Sequence, residues 1–239
     1  MCGRYASSHP PELIAERFDV AEVRGDPLPP CWNVAPTTDV YAVLSRPAGR
    51  QLRPLRWGLV PSWAKDPGVG ARMINARAET LTEKGFFKRA LERRRCLVPA
   101  DGYYEWLKAP GRSKQPFFIR RHDGEPLAFA GLWETWRDPA APEDAPLLWS
   151  LTIVTTAANH AVRHIHDRMP LTIDESEWAR WLGPEHTVDA VADLLVPAPA
   201  AVFEAYPVSP EVGSVRNDGP HLVEPLPAAN EDAALFPLG

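Results

Sequence analysis

Proline is the residue that most restricts what this chain can form. The 239 residues include 27 prolines, which are scattered along the chain without a repeating period. Proline has no backbone N–H and fixes its own φ, so it ends helices and is excluded from the middle of a sheet. We therefore expect many short elements rather than long helices. The least ordered segments are expected at 137–146 and from residue 228 onward.

Hydrophobic patterning between the prolines favours strands over helices. It predicts strands at 39–44, 52–57, 96–100, 103–107, 117–121, 127–133, 148–155 and 201–208. It predicts short helices at 13–18, 86–95, 176–182 and 188–195. Strands dominate the middle of the chain and do not alternate with helices. This order indicates a single α+β domain with a strongly curved, mostly antiparallel sheet or barrel flanked by short helices.

Composition narrows the class of protein. Cys2, Cys31 and Cys96 form no CxxC pair, which disfavours a disulfide framework or a four-cysteine zinc site and fits an intracellular setting. The chain shows neither a membrane-spanning apolar run nor a secretion signal pattern. The net charge is −5, yet residues 86–121 hold ten Lys and Arg against three acids. Residues 169–239 hold two Arg against twelve acids. The basic stretch could face an anionic partner, or both stretches could be solvated surfaces.

The second residue of the chain is a cysteine. If Met1 is removed, Cys2 carries a free α-amine and a thiol on one residue, and both can bond to the carbon of one aldehyde. The alternative is a cysteine that is incidental at an unconstrained position. The choice between these readings depends on the rest of the chain.

Three further polar segments could carry chemistry. In MINAR, Asn75 and Arg77 share one side if the segment is extended, as do His166 and Arg168 in IHDRMP. In DGYYEW, Glu105 lies between two aromatic residues, and loss of hydration there would raise its pKa toward neutrality. Each segment also has a structural interpretation, as a cap, an exposed strand residue or a buried histidine.

The histidines and tryptophans raise the questions of a metal site and of base stacking. His160, His164 and His166 have no Cys or carboxylate at a recognised ligand spacing, so we expect no metal and no cofactor. Most of the nine Trp should be core residues, but one or two exposed beside Arg could stack on unpaired bases.

Blocks along the whole chain carry a resemblance to a known family. In order they read MCGRYA, WNVAPT, WGLVPSW, MINARAET, CLVPADGYYEW, PFFI, AGLWE, IVTTAAN, IHDRMP and VSPEVGSVRNDGPHLVEP. This series resembles the SRAP family, the SOS-response-associated-peptidase-like proteins. The resemblance runs from Cys2 to about Pro227, so we expect an SRAP-like domain at 1–227 and a poorly ordered tail at 228–239.

The resemblance implies a function and a set of site residues. Members of the family shield abasic sites in single-stranded DNA through a covalent DNA–protein crosslink, a thiazolidine formed by the N-terminal cysteine. The residues implied as catalytic are Cys2, Asn75, Glu105 and His166, and those implied as DNA-binding are Arg4, Asn33, Trp63, Arg77, Thr155 and Arg168. Neither Cys31 nor Cys96 has an expected role, and segment 137–146 touches none of the blocks.

Two alternatives from other classes remain open at this point. An N-terminal cysteine beside Asn and Glu could belong to a hydrolase or self-processing peptidase, which would include autocatalytic removal of Met1. A non-covalent single-strand-binding module would leave Cys2 incidental. A weak strand-cleaving lyase activity is expected as a side reaction of an imine intermediate. We further expect a cytoplasmic monomer that is nucleoid-associated when bound to DNA and has no membrane partner.

Overall fold

A computed structural model describes residues 2–83, 85–108, 114–183 and 187–227. The expected tail at 228–239 lies outside these residues. The strands are β1 (Tyr5–Ser7), β2 (Val20–Val23), β3 (Cys31–Val34), β4 (Asp39–Arg46), β5 (Gly49–Trp57), β6 (Asn75–Arg77), β7 (Arg95–Ala100), β8 (Gly102–Leu107), β9 (Gln115–Arg121), β10 (Leu127–Trp136), β11 (Leu148–Ala157), β12 (Arg168–Pro170) and β13 (Phe203–Pro207). The α-helices are α1 (Pro11–Arg17), α2 (Gly85–Arg93) and α3 (Trp178–Trp181). Short 3₁₀ turns join many of these elements.

Five strands close into a barrel in the order β11–β10–β7–β4–β5. Neighbouring strands are antiparallel, except that β5 and β11 close the ring through a short parallel pairing at Ser150↔Arg56 and Leu151↔Trp57. Closure removes the exposed edges that an open sheet would present. β2 extends the sheet from β5, while β6 and β12 both pair with β11.

A second sheet, in the order β13–β9–β8–β1–β3, packs against the barrel. Its inward-facing side chains join those of the barrel interior in one buried cluster. Tyr5 makes edge contacts with Trp57 at 5.3 Å and with Phe129 at 5.8 Å between ring centroids, and Tyr103 contacts Phe129 at 6.1 Å. The start of β1, which follows Cys2, is therefore held deep in the core.

Side chains from all five barrel strands meet inside the ring. Cys96 lies opposite both Leu44 and Gly131 in register. A Cβ atom at position 131 would lie 2.7 Å from the Cys96 sulfur, so only glycine leaves room for this thiol. Small and large residues thus alternate across the interior, as close packing of a narrow barrel requires.

The outer face of the barrel is covered by the helices. Tyr41, Val43 and Leu97 belong to a second cluster, to which α1, α2 and α3 contribute their apolar faces. Phe18, which follows α1, stacks on Trp178 of α3 with ring centroids 4.3 Å apart. The α1 helix begins with proline at its first position and carries Glu12 in its first turn and Arg17 in its last, an arrangement that favours a short helix.

Most of the predicted elements are confirmed. The α+β class, the curved and mostly antiparallel barrel, and the predicted strands are all present, with ends shifted by a few residues. The helix predicted at 86–95 is α2, and the one at 13–18 is α1. Segment 137–146 contains turns and neither helix nor strand, and the Arg137 guanidinium binds the carbonyl oxygens of Glu143 and Ala145.

Two helix predictions need correction. The segment at 188–195 is not an α-helix, because its turns close by i→i−3 hydrogen bonds and only Ala192–Leu194 forms a 3₁₀ turn. Its apolar side chains instead pack on the outer cluster, and Pro197 follows closely. The segment at 176–182 divides into a 3₁₀ turn, Glu175–Glu177, and the four-residue α3.

The patterning also missed β1, β2, β3, β6 and β12, which are too short to show a period. No helix in the described part of the chain is long and apolar enough to cross a bilayer.

Candidate functional site

The fold brings four of the sequence-predicted residues together beside the second sheet. Cys2 precedes β1, Asn75 begins β6, Glu105 lies on β8 and His166 precedes β12. These four residues are called the reactive cluster below. The Asn75 Nδ2 donates a hydrogen bond of 2.7 Å to the Cys2 carbonyl oxygen, and His166 Nε2 lies 4.0 Å from Glu105 Oε2. Residues separated by up to 164 positions thus share one site.

Burial sets the protonation state of the Cys2 thiol. The whole residue has no exposed surface. Burial raises the pKa of this thiol far above its ordinary value, and the negative charge of Glu105 raises that pKa further. The thiol is therefore protonated at neutral pH, and any reaction in which its sulfur bonds to carbon needs a nearby proton acceptor.

Glu105 is such an acceptor. The residue is 4% exposed, and burial raises the pKa of its carboxyl to about 7. The shift has the predicted direction, and the two aromatic residues beside Glu105 in sequence lie on the opposite face of β8, as strand alternation predicts. Tyr104 packs in a separate cluster that Trp106 contacts, whereas Tyr103 faces the barrel interior. A carboxyl with a pKa near 7 can both accept and donate a proton at physiological pH.

Two contacts at Nδ1 bear on the position of the proton on His166. The Arg168 backbone N–H donates to Nδ1 at 3.0 Å, which favours a proton on Nε2, the nitrogen nearer Glu105, whereas a carboxylate oxygen beside Nδ1 favours a proton there. This carboxylate oxygen is Asp167 Oδ1, which lies 3.0 Å from Nδ1. Burial lowers the pKa of His166, which favours the neutral imidazole.

Two tyrosines that sequence reasoning missed line the same region. Tyr5 and Tyr103 are fully buried, and their hydroxyl groups have no hydrogen-bond partner among the described residues. Burial raises the pKa of both hydroxyls, and the charge of an ionised Cys2 would raise both further. Tyr103 could have been found, because it lies two residues before Glu105 and so shares its strand face.

Of the two polar side-chain atoms of Asn75, only one has a hydrogen-bond partner among the described residues. Its Nδ2 holds the Cys2 carbonyl, whereas its Oδ1 is buried without a hydrogen-bond partner among the described residues. A buried acceptor in this state costs on the order of 1–3 kcal/mol until a donor reaches it. This oxygen could therefore accept a hydrogen bond from a ligand.

The Arg168 side chain is positioned at the edge of the reactive cluster. Its guanidinium makes a bidentate pair with Glu79 at 2.6 and 2.9 Å, and its Nη2 donates to the carbonyl oxygen of fully buried Thr155 at 2.7 Å. Exposed Arg77 is paired with Thr155 across the parallel β6–β11 ladder. Thr155 therefore orients an arginine and has no surface of its own to offer a ligand.

Arg4 and Asn33 form a separate group on the other side of β1. The Arg4 Nη1 donates to Asn33 Oδ1 at 2.7 Å and to the Val212 carbonyl at 2.9 Å. Asn33 is buried and its Nδ2 donates to the carbonyl oxygens of Ser214 at 3.0 Å and Asn217 at 2.8 Å. The amide of Asn33 is thus used to fix Arg4 and the 212–217 segment.

Trp63 lies apart from both groups. Its side chain is 69% exposed and makes an edge contact with Phe86 at the start of α2, with centroids 6.4 Å apart. An exposed aromatic pair of this kind can stack on a base. Among the described residues, no group of three or more His, Cys, Asp or Glu side chains is placed to hold a metal ion.

Comparisons with known proteins agree with this architecture. The model of the family described as SOS response associated peptidase (SRAP) matches residues 1–215. The abasic site processing protein YoqW of Bacillus subtilis is 40% identical over 226 residues, covering 94% of this chain and 99% of the relative. The abasic site processing protein YedK of Escherichia coli is 35% identical over 233 residues, covering 95% and 100%. A solved structure from Bacteroides thetaiotaomicron has a TM-score of 0.82 at 24% identity and covers 94% of this chain and 100% of its own, which shows the shared fold.

Proposed function

The chain belongs to the SOS response associated peptidase (SRAP) family, and from this premise we propose that it processes abasic sites in DNA. More specifically, we propose that Cys2, once Met1 is removed, forms a thiazolidine crosslink with the open-chain aldehyde of an abasic site in single-stranded DNA. The observation that carries the proposal is the fully buried, protonated Cys2 thiol within electrostatic reach of Glu105, a carboxyl whose pKa is about 7. The crosslink would shield the lesion.

The proposed crosslink forms through amine attack, loss of water and ring closure. The neutral α-amine of Cys2 attacks the aldehyde carbon, and the carbinolamine loses one water to give an imine. The sulfur then bonds to the imine carbon, its proton is removed and the imine nitrogen takes up a proton, which closes the five-membered ring. The net change is one C–N bond, one C–S bond and one released water. The α-amine has an ordinary pKa of about 7.7–8.0, so part of it is neutral at physiological pH.

Glu105 is the group best placed for the proton transfers. Its carboxylate form would accept the thiol proton, and its acid form would protonate the departing hydroxyl of the carbinolamine. Its pKa of about 7 leaves both forms populated. His166, in the form with its proton on Nε2, would donate to the ring oxygen as the sugar opens. Asn75 Nδ2 would hold the Cys2 carbonyl, and Asn75 Oδ1 would accept a hydrogen bond from a sugar hydroxyl.

The arginines would hold the phosphates around the lesion. Arg77 and Arg168 lie beside the reactive cluster, and Arg4 lies across β1. Asn33 and Thr155 would act through Arg4 and Arg168, because both of their side chains are buried. Trp63 would stack on a base. Because Cys2 and Glu105 are buried, the lesion must bend sharply to reach them, which a single strand does more easily than a duplex. We propose that a cytoplasmic monomer suffices for this reaction.

The test is a denaturing gel with a single-stranded oligonucleotide that carries one abasic site, using protein whose N-terminus is verified by mass. We expect a heat-stable shifted band whose mass is the sum of protein and DNA less one water. Cys2→Ala should abolish this band, while Cys31→Ala, which removes a half-buried thiol elsewhere, should keep it. An oligonucleotide with a reduced, aldehyde-free abasic analogue should give none. No band from protein that begins at Cys2 would overturn the proposal.

Two side activities follow from the same groups. An imine that does not close its ring could lead to strand cleavage, so Cys2→Ala, which retains the terminal amine, would show weak lyase activity. The Cys2 sulfur could also attack the carbonyl carbon of Met1, which breaks the Met1–Cys2 peptide bond, moves the thiol proton to the freed Cys2 amine and leaves Met1 on the sulfur as a thioester. Water would then hydrolyse the thioester, releasing methionine and restoring the thiol, with Glu105 assisting the proton transfers. N-terminal masses of the wild type, Cys2→Ala and Glu105→Gln, each made without an aminopeptidase, test this second activity. Retained Met1 in both variants and its loss in the wild type would support it.

A further inference from the structure

The barrel end farthest from Cys2 carries an arrangement that the proposed reaction does not use. Four barrel strands, β4, β5, β10 and β11, contribute one side chain each, and a fifth side chain comes from the residue just before β7; in chain order these are Arg46, Arg53, Arg94, Trp133 and Trp149. This set is called the Arg–Trp end below. Arg46 on β4 contacts Trp149 on β11, two strands that are not neighbours in the ring, so the contact crosses the interior. The register places this layer beyond Leu44, Cys96 and Gly131.

The two indoles and three guanidinium groups are stacked. The Trp133 and Trp149 rings lie 5.1 Å apart at an interplanar angle of 20°. Arg53 covers Trp149 at 3.8 Å, Arg94 covers Trp133 at 5.6 Å, and Arg46 contacts both rings at 4.9 and 5.3 Å. Because the ring faces already hold guanidinium groups, they are poorly available to a nucleobase. The N–H edges of the arginines are what remains for a ligand.

The positive charge of this layer is not fully compensated. Glu134 pairs with Arg94, but no described carboxylate pairs with Arg46 or Arg53, and Arg53 Nε is buried without a hydrogen-bond partner among the described residues. Burial lowers the pKa of both Arg46 and Arg53, and the charges of Arg46 and Arg24 lower that of Arg53 further. Like charges held together in this way favour a bound anion.

A basic surface links this end to the aromatic pair at Trp63. Helix α2 begins beside Trp63, which contacts Phe86, and ends at Arg93. Arg93 and Arg46 line a common cleft of about 470 Å³ together with Arg95 and one carboxylate, Glu92, so its lining remains net positive. The exposed Lys88, Arg89 and Arg93 of α2 make no ion pair with a described residue. At about 1.5 Å per residue, this helix gives a basic track on the order of 13 Å long.

We propose that the α2 basic face and the Arg–Trp end form a second nucleic-acid contact, which binds backbone phosphates of the strand that carries the lesion. The inference rests on the proposed function for the identity of that strand. Charge complementarity favours this occupant, because a chain of regularly spaced phosphates matches separated guanidinium edges and needs no free ring face. The contact would be independent of sequence and of the lesion, and it would weaken as salt rises.

The test measures non-covalent DNA binding and covalent crosslinking separately. Equilibrium binding of an undamaged single strand is measured by fluorescence anisotropy at several salt concentrations, and crosslinking of the abasic strand is measured at saturating DNA. For the double variant Arg46→Gln/Arg53→Gln, we expect about tenfold weaker binding and a salt slope smaller by about 1.4, at about 0.7 per lost phosphate contact. The crosslinking rate at saturation should not change.

Arg120→Gln is the matched control. Arg120 also lies over an aromatic ring, that of Tyr206 at 5.5 Å, but its charge is paired with Glu204 at 2.6 Å. Its loss should leave DNA affinity and salt slope unchanged. Arg93→Gln, which alters an exposed residue, keeps the test valid if the double variant fails to fold, and it should reduce the slope by about 0.7.

The outcomes distinguish the two proposals. Unchanged affinity and slope in the folded double variant and in Arg93→Gln, with crosslinking intact, would overturn the second contact and leave the proposed function standing. A wild type that binds undamaged DNA through these arginines but never crosslinks would overturn the proposed function instead. Polyglutamate is the probe for an acidic protein partner. If the double variant loses polyglutamate binding and keeps DNA binding, the occupant is not nucleic acid.

Discussion

The two ends of the barrel interior accommodate ionisable groups in opposite ways. At one end, Cys2 and Glu105 are buried, and burial raises the pKa of both groups so that they can be neutral. At the other end, the partly exposed Arg46 and Arg53 keep their charge, because burial lowers the pKa of a guanidinium but not far enough for it to lose its proton near neutral pH. Their charge is instead accommodated on indole faces.

Because of this difference, one end of the barrel can exchange protons with a substrate, whereas the other can attract a polyanion. Groups whose pKa values are shifted into the physiological range can exchange protons with a substrate, which suits the end that holds the reactive cluster. Permanently charged groups cannot do so, but they attract a polyanion over a distance and hold it in a salt-dependent way. Under the two proposals, one closed sheet would carry a chemical site at one mouth and a binding site at the other.

The largest effect that would sharpen this comparison is expected from Glu105→Gln. The amide cannot exchange a proton, so crosslinking should slow by about 10²- to 10⁴-fold, the usual contribution of a general acid–base group. In the wild type, any step that needs the carboxylate should speed up as pH rises through about 7, and this dependence should vanish in the variant. Single-turnover crosslinking rates from pH 5.5 to 8.5 provide the measurement. An unchanged rate and pH profile would remove Glu105 from the chemistry.

At the other end, Trp149→Ala is expected to cost stability rather than reactivity. The indole packs against Trp133, Arg46 and Arg53, and its loss should lower the free energy of unfolding by about 3 kcal/mol. Urea unfolding measures this change. The control is Trp63→Ala, which removes a 69% exposed indole and should stay within about 0.5 kcal/mol of the wild type. Equal losses from both variants would contradict a stabilising role for the packing of partly buried Trp149 against the barrel interior.

Glu105 should also make the reactive end less stable as pH rises. Its pKa is about 7 in the folded protein and 4.5 ordinarily, so the folded state binds the proton more tightly. The favourable contribution of the protonated form is present below pH 4.5 and is lost as pH rises through 7, a difference of about 3 kcal/mol. Glu105→Gln should thus gain stability over the wild type at pH 8 and gain none at pH 4. Thermal unfolding at both pH values tests this, and an equal gain at both would contradict it.

The smallest effect is expected from Glu79→Gln. Glu79 pairs with Arg168 at the edge of the reactive cluster and would repel a phosphate that approaches this arginine. Its neutralisation should strengthen binding of undamaged single-stranded DNA about threefold at low salt, with the gain fading as salt rises. Glu224→Gln, at an exposed acid in the C-terminal part of the described chain, is the control for net charge. Weaker binding by Glu79→Gln would mean that orienting Arg168 matters more than its free charge.

The sequence by itself determined the local features. Scattered prolines and short apolar runs indicated short strands and an α+β class, and two-residue spacing placed Asn75 with Arg77. The ordered blocks identified the family and, through it, implied Cys2, Asn75, Glu105 and His166 as candidate site residues. These properties are readable because they depend on neighbours in the chain.

The tertiary structure decided what those residues can do. The pKa of Glu105 depends on how deeply β8 is buried, and the Asn75 contact with Cys2 depends on β6 pairing with β11 beside the start of β1. The Arg–Trp end exists because five strands close into a ring and bring Arg46 within reach of Trp149, 103 positions later in the chain. Local patterning carries no signal for such contacts, because their partners are chosen by ring closure and packing rather than by sequence distance.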